Sequence, residues 1–200
     1  MSTQFIRYPI ISERLILSPF RETDFEALCA MESDRDVKEF TGGVLDRDQT
    51  MKLLSGFIEA NSTTGLGAIA IRRKGIGEYL GLCGLVRESD ADEAEVFYGL
   101  TRSAWGHGYA TEACRALIDA AFTQLQVSSV FAIPDLANGA SIRVLERAGM
   151  QLSVASTRSE DAGHGSREYR IVKAAGASSL HRCHEISDPG SLPTKGSQHK

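Results

Sequence analysis

The chain has 200 residues, 42% hydrophobic and 24% charged, with a formal net charge of −4. That fits one globular domain with a core of normal size, and the acidic balance argues against nucleic acid as the main ligand. No run approaches the ~18 apolar residues of a membrane span, and the N-terminus has no long apolar stretch after a basic start, so neither a membrane anchor nor a secretory signal is expected.

In chain order, 14–17 reads as a first strand, stopped by Pro19. Thr23 to Glu26 reads as a capping box, Thr23 at the N-cap, opening a short helix with Phe25, Leu28 and Cys29 on one face. Residues 46–60 form an amphipathic helix with Leu53, Leu54, Phe57 and Ile58 inward. Residues 67–72 and 79–86 are strands joined by a hairpin around Gly75 and Gly77. Residues 88–95 form an acidic turn. A strand at 94–101 leads into a helix at 106–125, whose Ala110, Ala113, Cys114, Leu117, Ala121 and Leu125 share one face. A strand at 129–133 ends at Pro134. A helix from Asn138 ends near Gly149. Weaker strands follow around 150–157 and 167–173.

The order βααβββαβαββ combines antiparallel hairpins with a parallel crossover between 94 and 133, so an α/β fold on a mixed sheet is expected. Residues 1–173 form the domain. From 174 to 200 Gly, Ser, Pro and His dominate, which reads as a flexible tail. His181 and His184 supply too few ligands for a closed zinc site, and no metal is expected. Cys29, Cys83, Cys114 and Cys183 form no CxxC pair, and three lie in apolar segments. This usage suits free thiols in a reducing cytoplasm.

The joint between the strand at 94–101 and the following helix carries the chemistry. The first turn of a helix leaves about four backbone N–H groups without partners, at the positive end of its dipole. Gly106 and Gly108 let an anion approach that backbone, which makes a phosphate cradle. A nucleoside-triphosphate loop is excluded because the stretch has no Lys. A dinucleotide fingerprint fits poorly, because its third Gly position is Thr111 and the next strand carries no acidic residue near its end.

Three segments in register resemble the GCN5-related N-acetyltransferases (GNAT), in particular their RimJ/RimL-like branch. Residues 13–25, ERLILSPFRETDF, are similar to that branch's "ERL.LRPF...D". Residues 98–113, YGLTRSAWGHGYATEA, are similar to "GY.L...WGKGYATEA". Residues 138–149, NGASIRVLERAG, are similar to "N.AS..VLEK.GF". Order and spacing agree over about 10–173.

The resemblance implies a twisted, mostly antiparallel sheet with helices on both faces. It implies that the parallel strands near 94–101 and 128–133 splay apart and that acetyl-CoA lies in the gap. The pantetheine arm would pair with the first strand, through Leu100 and Thr101. The pyrophosphate would sit on the N–H groups of Gly106, His107, Gly108, Tyr109 and Ala110, with Trp105 anchoring the loop. Ser103 departs from the Gln or Arg of many members.

Amide formation from a thioester needs a neutral amine, a held carbonyl and a proton for the leaving thiolate. Backbone N–H near Leu100 is a candidate for holding the carbonyl. Glu95 is the candidate base, against the alternative of a solvated acidic turn. Asn138 either bonds the pantetheine arm or only caps its helix. Ser141, one turn on, is a candidate to contact cofactor and to protonate the thiolate or hold a water. The Tyr that many members use as acid falls at Leu145. Tyr98 and Tyr109 are alternatives to it, and Arg147 stands at the family's Lys position.

The expected activity is acetyl transfer from acetyl-CoA to a primary amine, first a protein or peptide N-terminus, second a small molecule, by a monomer or homodimer. A non-catalytic acyl-CoA sensor and a nicotinamide enzyme are the competing classes.

Overall fold

A computed structural model describes residues 5–88, 91–153 and 167–174. The chain opens with two short strands, β1 (Ile10–Ile11) and β2 (Leu15–Pro19), then two helices, α1 (Phe25–Glu32) and α2 (Arg47–Thr64). Three strands follow, β3 (Gly67–Arg73), β4 (Tyr79–Val86) and β5 (Glu93–Leu100). The rest alternates, with α3 (Tyr109–Ala120), β6 (Ser129–Ala132), α4 (Gly139–Arg147), β7 (Gln151–Leu152) and β8 (Tyr169–Val172). All eight strands form one sheet in the order β1-β2-β3-β4-β5-β6-β8-β7. Every neighbouring pair is antiparallel except β5 and β6. The mixed α/β sheet read from the sequence is the sheet observed.

Helices cover both faces. On one face α3 and α4 pack with Leu15, Leu17, Ile69, Ile71, Cys83, Leu85, Val96 and Val130. All six expected inward residues of the helix at 106–125 are buried there. On the other face Leu28 and Met31 of α1 and Leu54 of α2 pack on Ala68, Ala70 and Leu82. Cys29, Cys83 and Cys114 are free and buried. Burial pushes the Cys114 thiol up to about 12.

Several boundaries differ from expectation. Pro19 lies inside β2, opposite Ile69, at a point where β1 no longer pairs and a backbone donor is not required. Thr23 is not an N-cap. A 3-10 turn at Glu22–Asp24 precedes α1, because Asp24 accepts the Arg21 N–H at 2.8 Å and holds the Arg72 guanidinium at 2.6 Å. α2 starts at its Asp46–Gln49 capping box and gains a last turn, running four residues beyond Ala60 to Thr64, where left-handed Gly65 ends it. The acidic turn is shorter than expected, because Glu93 to Glu95 already pair in β5. β1 was not anticipated; two residues carry no periodicity. The strand around 150–157 is observed only as β7, and 154–166 lie outside the described residues. So do 175–200, with the expected tail, its histidines and Cys183. Among the described residues no helix is long and apolar enough to cross a membrane.

α3 is the element that ties the cradle to the core. Leu117, fully buried on its inner face, is predicted to cost about 2–5 kcal/mol of stability when changed to Ala, read by denaturant unfolding.

Candidate active site

The parallel pairing of β5 with β6 covers only three rungs, Glu93 with Ser129, Ala94 with Val130 and Glu95 with Phe131. β5 then continues along β4 as far as Leu100. Residues 96–100 therefore have a strand on one side and an opening on the other. Thr101 donates its N–H to Leu80 O at 2.9 Å, on the β4 side. Strand backbone groups alternate sides, so the N–H and C=O of Leu100 and Tyr98 and the C=O of Val96 point into the opening, while the Val96 N–H is taken up by the last parallel rung, Glu95 with Phe131. The Leu100 carbonyl is already used, accepting the Trp105 indole N–H at 3.0 Å. The opening is closed at its base by Arg170 of β8, whose Nη1 reaches Glu93 of β5 and Ser129 of β6, each at 2.6 Å.

Beyond Leu100 the chain makes a short 3-10 turn, Arg102–Ala104, then passes Gly106 and Gly108 at φ 76° and 78°. Both are in the left-handed region that glycine adopts without steric cost. That is why α3 begins at Tyr109 and not at 106. Among the described residues, no acceptor in the chain takes the N–H groups of Gly106, His107, Gly108, Tyr109 or Ala110. A Cβ at Gly106 would meet nothing within 4 Å. These open donors at the positive end of α3 match an anion such as a pyrophosphate. Trp105, 45% exposed, and Tyr109, buried, flank the turn. His107 Nδ1 lies 2.7 Å from Trp105 O and its ring stacks on Tyr109 at 5.6 Å. A groove of about 540 Å³ runs from Gly108 along the outer side of α3, past Thr111 and Arg115.

Asn138 caps α4, its Oδ1 accepting the Ser141 N–H at 2.9 Å. Capping is thus observed, and the amide NH₂ and a second Oδ1 lone pair are left for another partner. The Tyr98 hydroxyl lies 3.0 Å from Ser141 O and 2.9 Å from Ser141 Oγ. A phenol has one proton; with the carbonyl as its acceptor, the Ser141 hydroxyl donates to Tyr98. Burial holds the Tyr98 phenol well above its usual pKa, so it stays protonated. Leu145, at the usual acid position, is buried in the core under α4. Arg147 contributes its carbonyl, which accepts from Arg115.

Glu95 and Ser141 are not in contact. Alternation along β5 puts Val96 on the face of α3 with Tyr98, and Glu95 on the opposite face with Phe97 and Gly99, toward α1 and α2. Glu95 is half-buried at the last rung before the opening and has no charge partner among the described residues. Burial raises its pKa. Arg14 and Glu112 were missed as site residues. Arg14 Nη1 donates to His107 O at 3.0 Å and Nε to Glu112 at 2.7 Å. Both residues stand in the matched segments, but nothing in a sequence pairs positions 98 apart.

Residues 14–151 match the family model described as the acetyltransferase (GNAT) domain, and the chain belongs to that family. It is an N-acetyltransferase. The protein YkkB of Bacillus subtilis (strain 168) is 32% identical over 147 residues, 72% of this chain and 86% of its own length. The fold is shared with RimL, a ribosomal L7/L12 α-N-protein acetyltransferase solved with coenzyme A, at 19% identity and TM-score 0.70, covering 81% of this chain and 96% of RimL. It is also shared with the spermidine N-acetyltransferase of Vibrio cholerae, solved with CoA and spermine, at 15% identity and TM-score 0.67, covering 80% and 96%. Both of those solved structures contain CoA.

Gly108→Asp is predicted to weaken CoA binding by about tenfold or more in titration calorimetry, since it adds a charge beside the phosphate site. Its unfolding temperature should fall by far less than that of Leu117→Ala.

Proposed function

We propose that the chain acetylates the N-terminal α-amine of a protein or peptide. The observation that carries this reading is the opening beyond Glu95, which ends in the donor cradle at Gly106 to Ala110 and is flanked by a carboxylate on one face and a hydroxyl pair on the other. When bound, acetyl-CoA supplies an activated acyl group and a leaving thiolate. The backbone of Tyr98 and Leu100 lines its arm; Thr101, expected to share in this, spends its N–H on Leu80 O and its C=O on the Ala104 N–H, both at 2.9 Å. The N–H groups of Gly106 to Ala110 hold its phosphates, and Trp105 fixes the loop by its bond to Leu100 O. The Asn138 amide NH₂, not used by the capping bond, would bond the arm from the start of α4.

The amine enters from the face of α1 and α2, where residues 22–60 shape the pocket. Lys38, 2.7 Å from buried Glu32, holds the segment between those helices against α1. Glu95 takes the amine proton, directly or through water. An α-amine has a reference pKa of ~8, so near pH 7 a useful fraction is already neutral and one half-buried carboxylate suffices. On the opposite face Tyr98 and Ser141 form the proton source for the thiolate, in place of the acid absent at Leu145. A large part of the rate comes from holding both partners in line. Buried free Cys29, Cys83 and Cys114 suit a reducing cytoplasm.

Thiol release should be measured with acetyl-CoA and a panel of peptides with free α-amines, polyamines and amino acids. Peptide α-amines are expected to be turned over best. Turnover of polyamines alone would move the assignment to a small-amine enzyme, and tight CoA binding without turnover of any amine would make the chain an acyl-CoA sensor.

Glu95→Gln is predicted to lower kcat/KM by about 10²-fold, with CoA affinity unchanged. A base works deprotonated, so activity is lost as pH falls through the raised Glu95 pKa. That limb should lie above the ~4.3 of an ordinary glutamate and vanish in the variant. An unchanged rate and pH profile would reduce Glu95 to rim charge.

A further inference from the structure

We infer that Arg14 is a positioning residue for donor binding, one that aims the Gly108 N–H into the phosphate cradle by holding the peptide plane between His107 and Gly108. This rests on the cradle's being the pyrophosphate site. A peptide flanked by glycine on its C-terminal side, at φ 78°, rotates with little steric resistance. In a trans peptide the C=O and the next N–H point in opposite directions. If the 107–108 plane turned over, the His107 carbonyl would face the anion and the Gly108 N–H would face away. One contact prevents this, the Arg14 Nη1 donating to His107 O at 3.0 Å. Holding the carbonyl on that side sends the Gly108 N–H to the other, and the guanidinium charge polarises the same peptide.

Arg14 is itself over-determined. Its backbone N–H donates to Glu112 Oε1 and its Nε to Glu112 Oε2, both at 2.7 Å. Ser12 Oγ adds a third bond to Glu112 Oε1 at 2.7 Å. The guanidinium lies over the Tyr109 ring at 4.8 Å, with Arg73 at 5.8 Å from the same ring. The Arg14 carbonyl accepts the Lys74 N–H from the β3–β4 turn at 2.8 Å. Glu112 is in the first turn of α3, one turn from the cradle. A carboxylate there favours the helix dipole but opposes a bound phosphate. Arg14 offsets that charge. Burial tends to raise the Glu112 pKa, but the Arg14 N–H, the Ser12 hydroxyl and the Arg14 guanidinium together lower it, so the carboxylate stays charged. Removing Arg14 therefore both frees the peptide and uncovers a negative charge.

The experiment compares Arg14→Gln, Arg14→Lys and Gly108→Asp. Each is titrated with CoA and with phosphate-free pantetheine while amide resonances are followed, and unfolding temperatures are recorded. Arg14→Gln is expected to weaken CoA about tenfold, in line with loss of a charge-assisted hydrogen bond, and to leave pantetheine affinity unchanged. Arg14→Lys, a single ammonium in place of a fork, is expected to recover less than half of that loss in free-energy terms. Unchanged CoA affinity in Arg14→Gln, an equal loss for CoA and pantetheine, or full rescue by Lys would each overturn the inference. If Gly108→Asp also leaves CoA affinity unchanged, the cradle itself is misassigned. If only Gly108→Asp weakens CoA, the cradle stands and the role of Arg14 falls.

Discussion

The structure depends on one interrupted interaction, the parallel pairing of β5 with β6. It stops after three rungs, while β5 runs on for five more residues beside β4. A buried strand with unpaired backbone groups is costly, since each N–H and C=O needs a partner. Ordinary sheets avoid it. Here the interruption is maintained, because Arg170 clamps Glu93 and Ser129 at the base while α4 meets β5 through Tyr98 and Ser141. What remains is a slot with a row of backbone groups on one wall and, at its mouth, a helix start whose donors are also free.

The slot lies where the two faces of the sheet become reachable from one place, which gives the fold its chemistry. Side chains alternate across β5, so one strand offers Glu95 to one face and Tyr98 to the other. Amide formation needs a proton removed from the amine and another delivered to the thiolate. In the proposed mechanism, separating these groups by a sheet keeps the carboxylate from competing for the proton meant for the thiolate. Environment then sets each state, with burial raising both Glu95 and Tyr98. The phenol remains a donor and the carboxylate becomes a stronger base.

The fold was largely legible because its elements carry local signatures. The Gly75–Gly77 turn between two apolar strands, the apolar side of the helix from Asp46 and the inward face of α3 are all short-range patterns. The glycines at 106 and 108 marked the cradle for the same reason. What was not legible was long-range. Thr23 looked like a cap because nothing local reveals that Asp24 is held by Arg72, 48 residues away. Arg14 and Glu112 were visible as motif letters but not as a pair. Asn138 and Ser141 were read with two roles each; the structure resolves the capping bond and adds Tyr98 as the partner of Ser141. Glu95 and Ser141 were read as separate candidates, a base and a proton donor, and strand alternation puts Glu95 on the face opposite Tyr98, the partner of Ser141.

An amide-resolved NMR titration with CoA tests whether the broken pairing and the α3 cradle form one donor site. Shifts are expected at Tyr98, Leu100 and Gly106 to Ala110, with the paired residues Glu93 and Ala94 little affected. Shifts confined to the outer groove along Thr111, Arg115 and Asp119, with the β5 and Gly106–Ala110 amides unmoved, would contradict it.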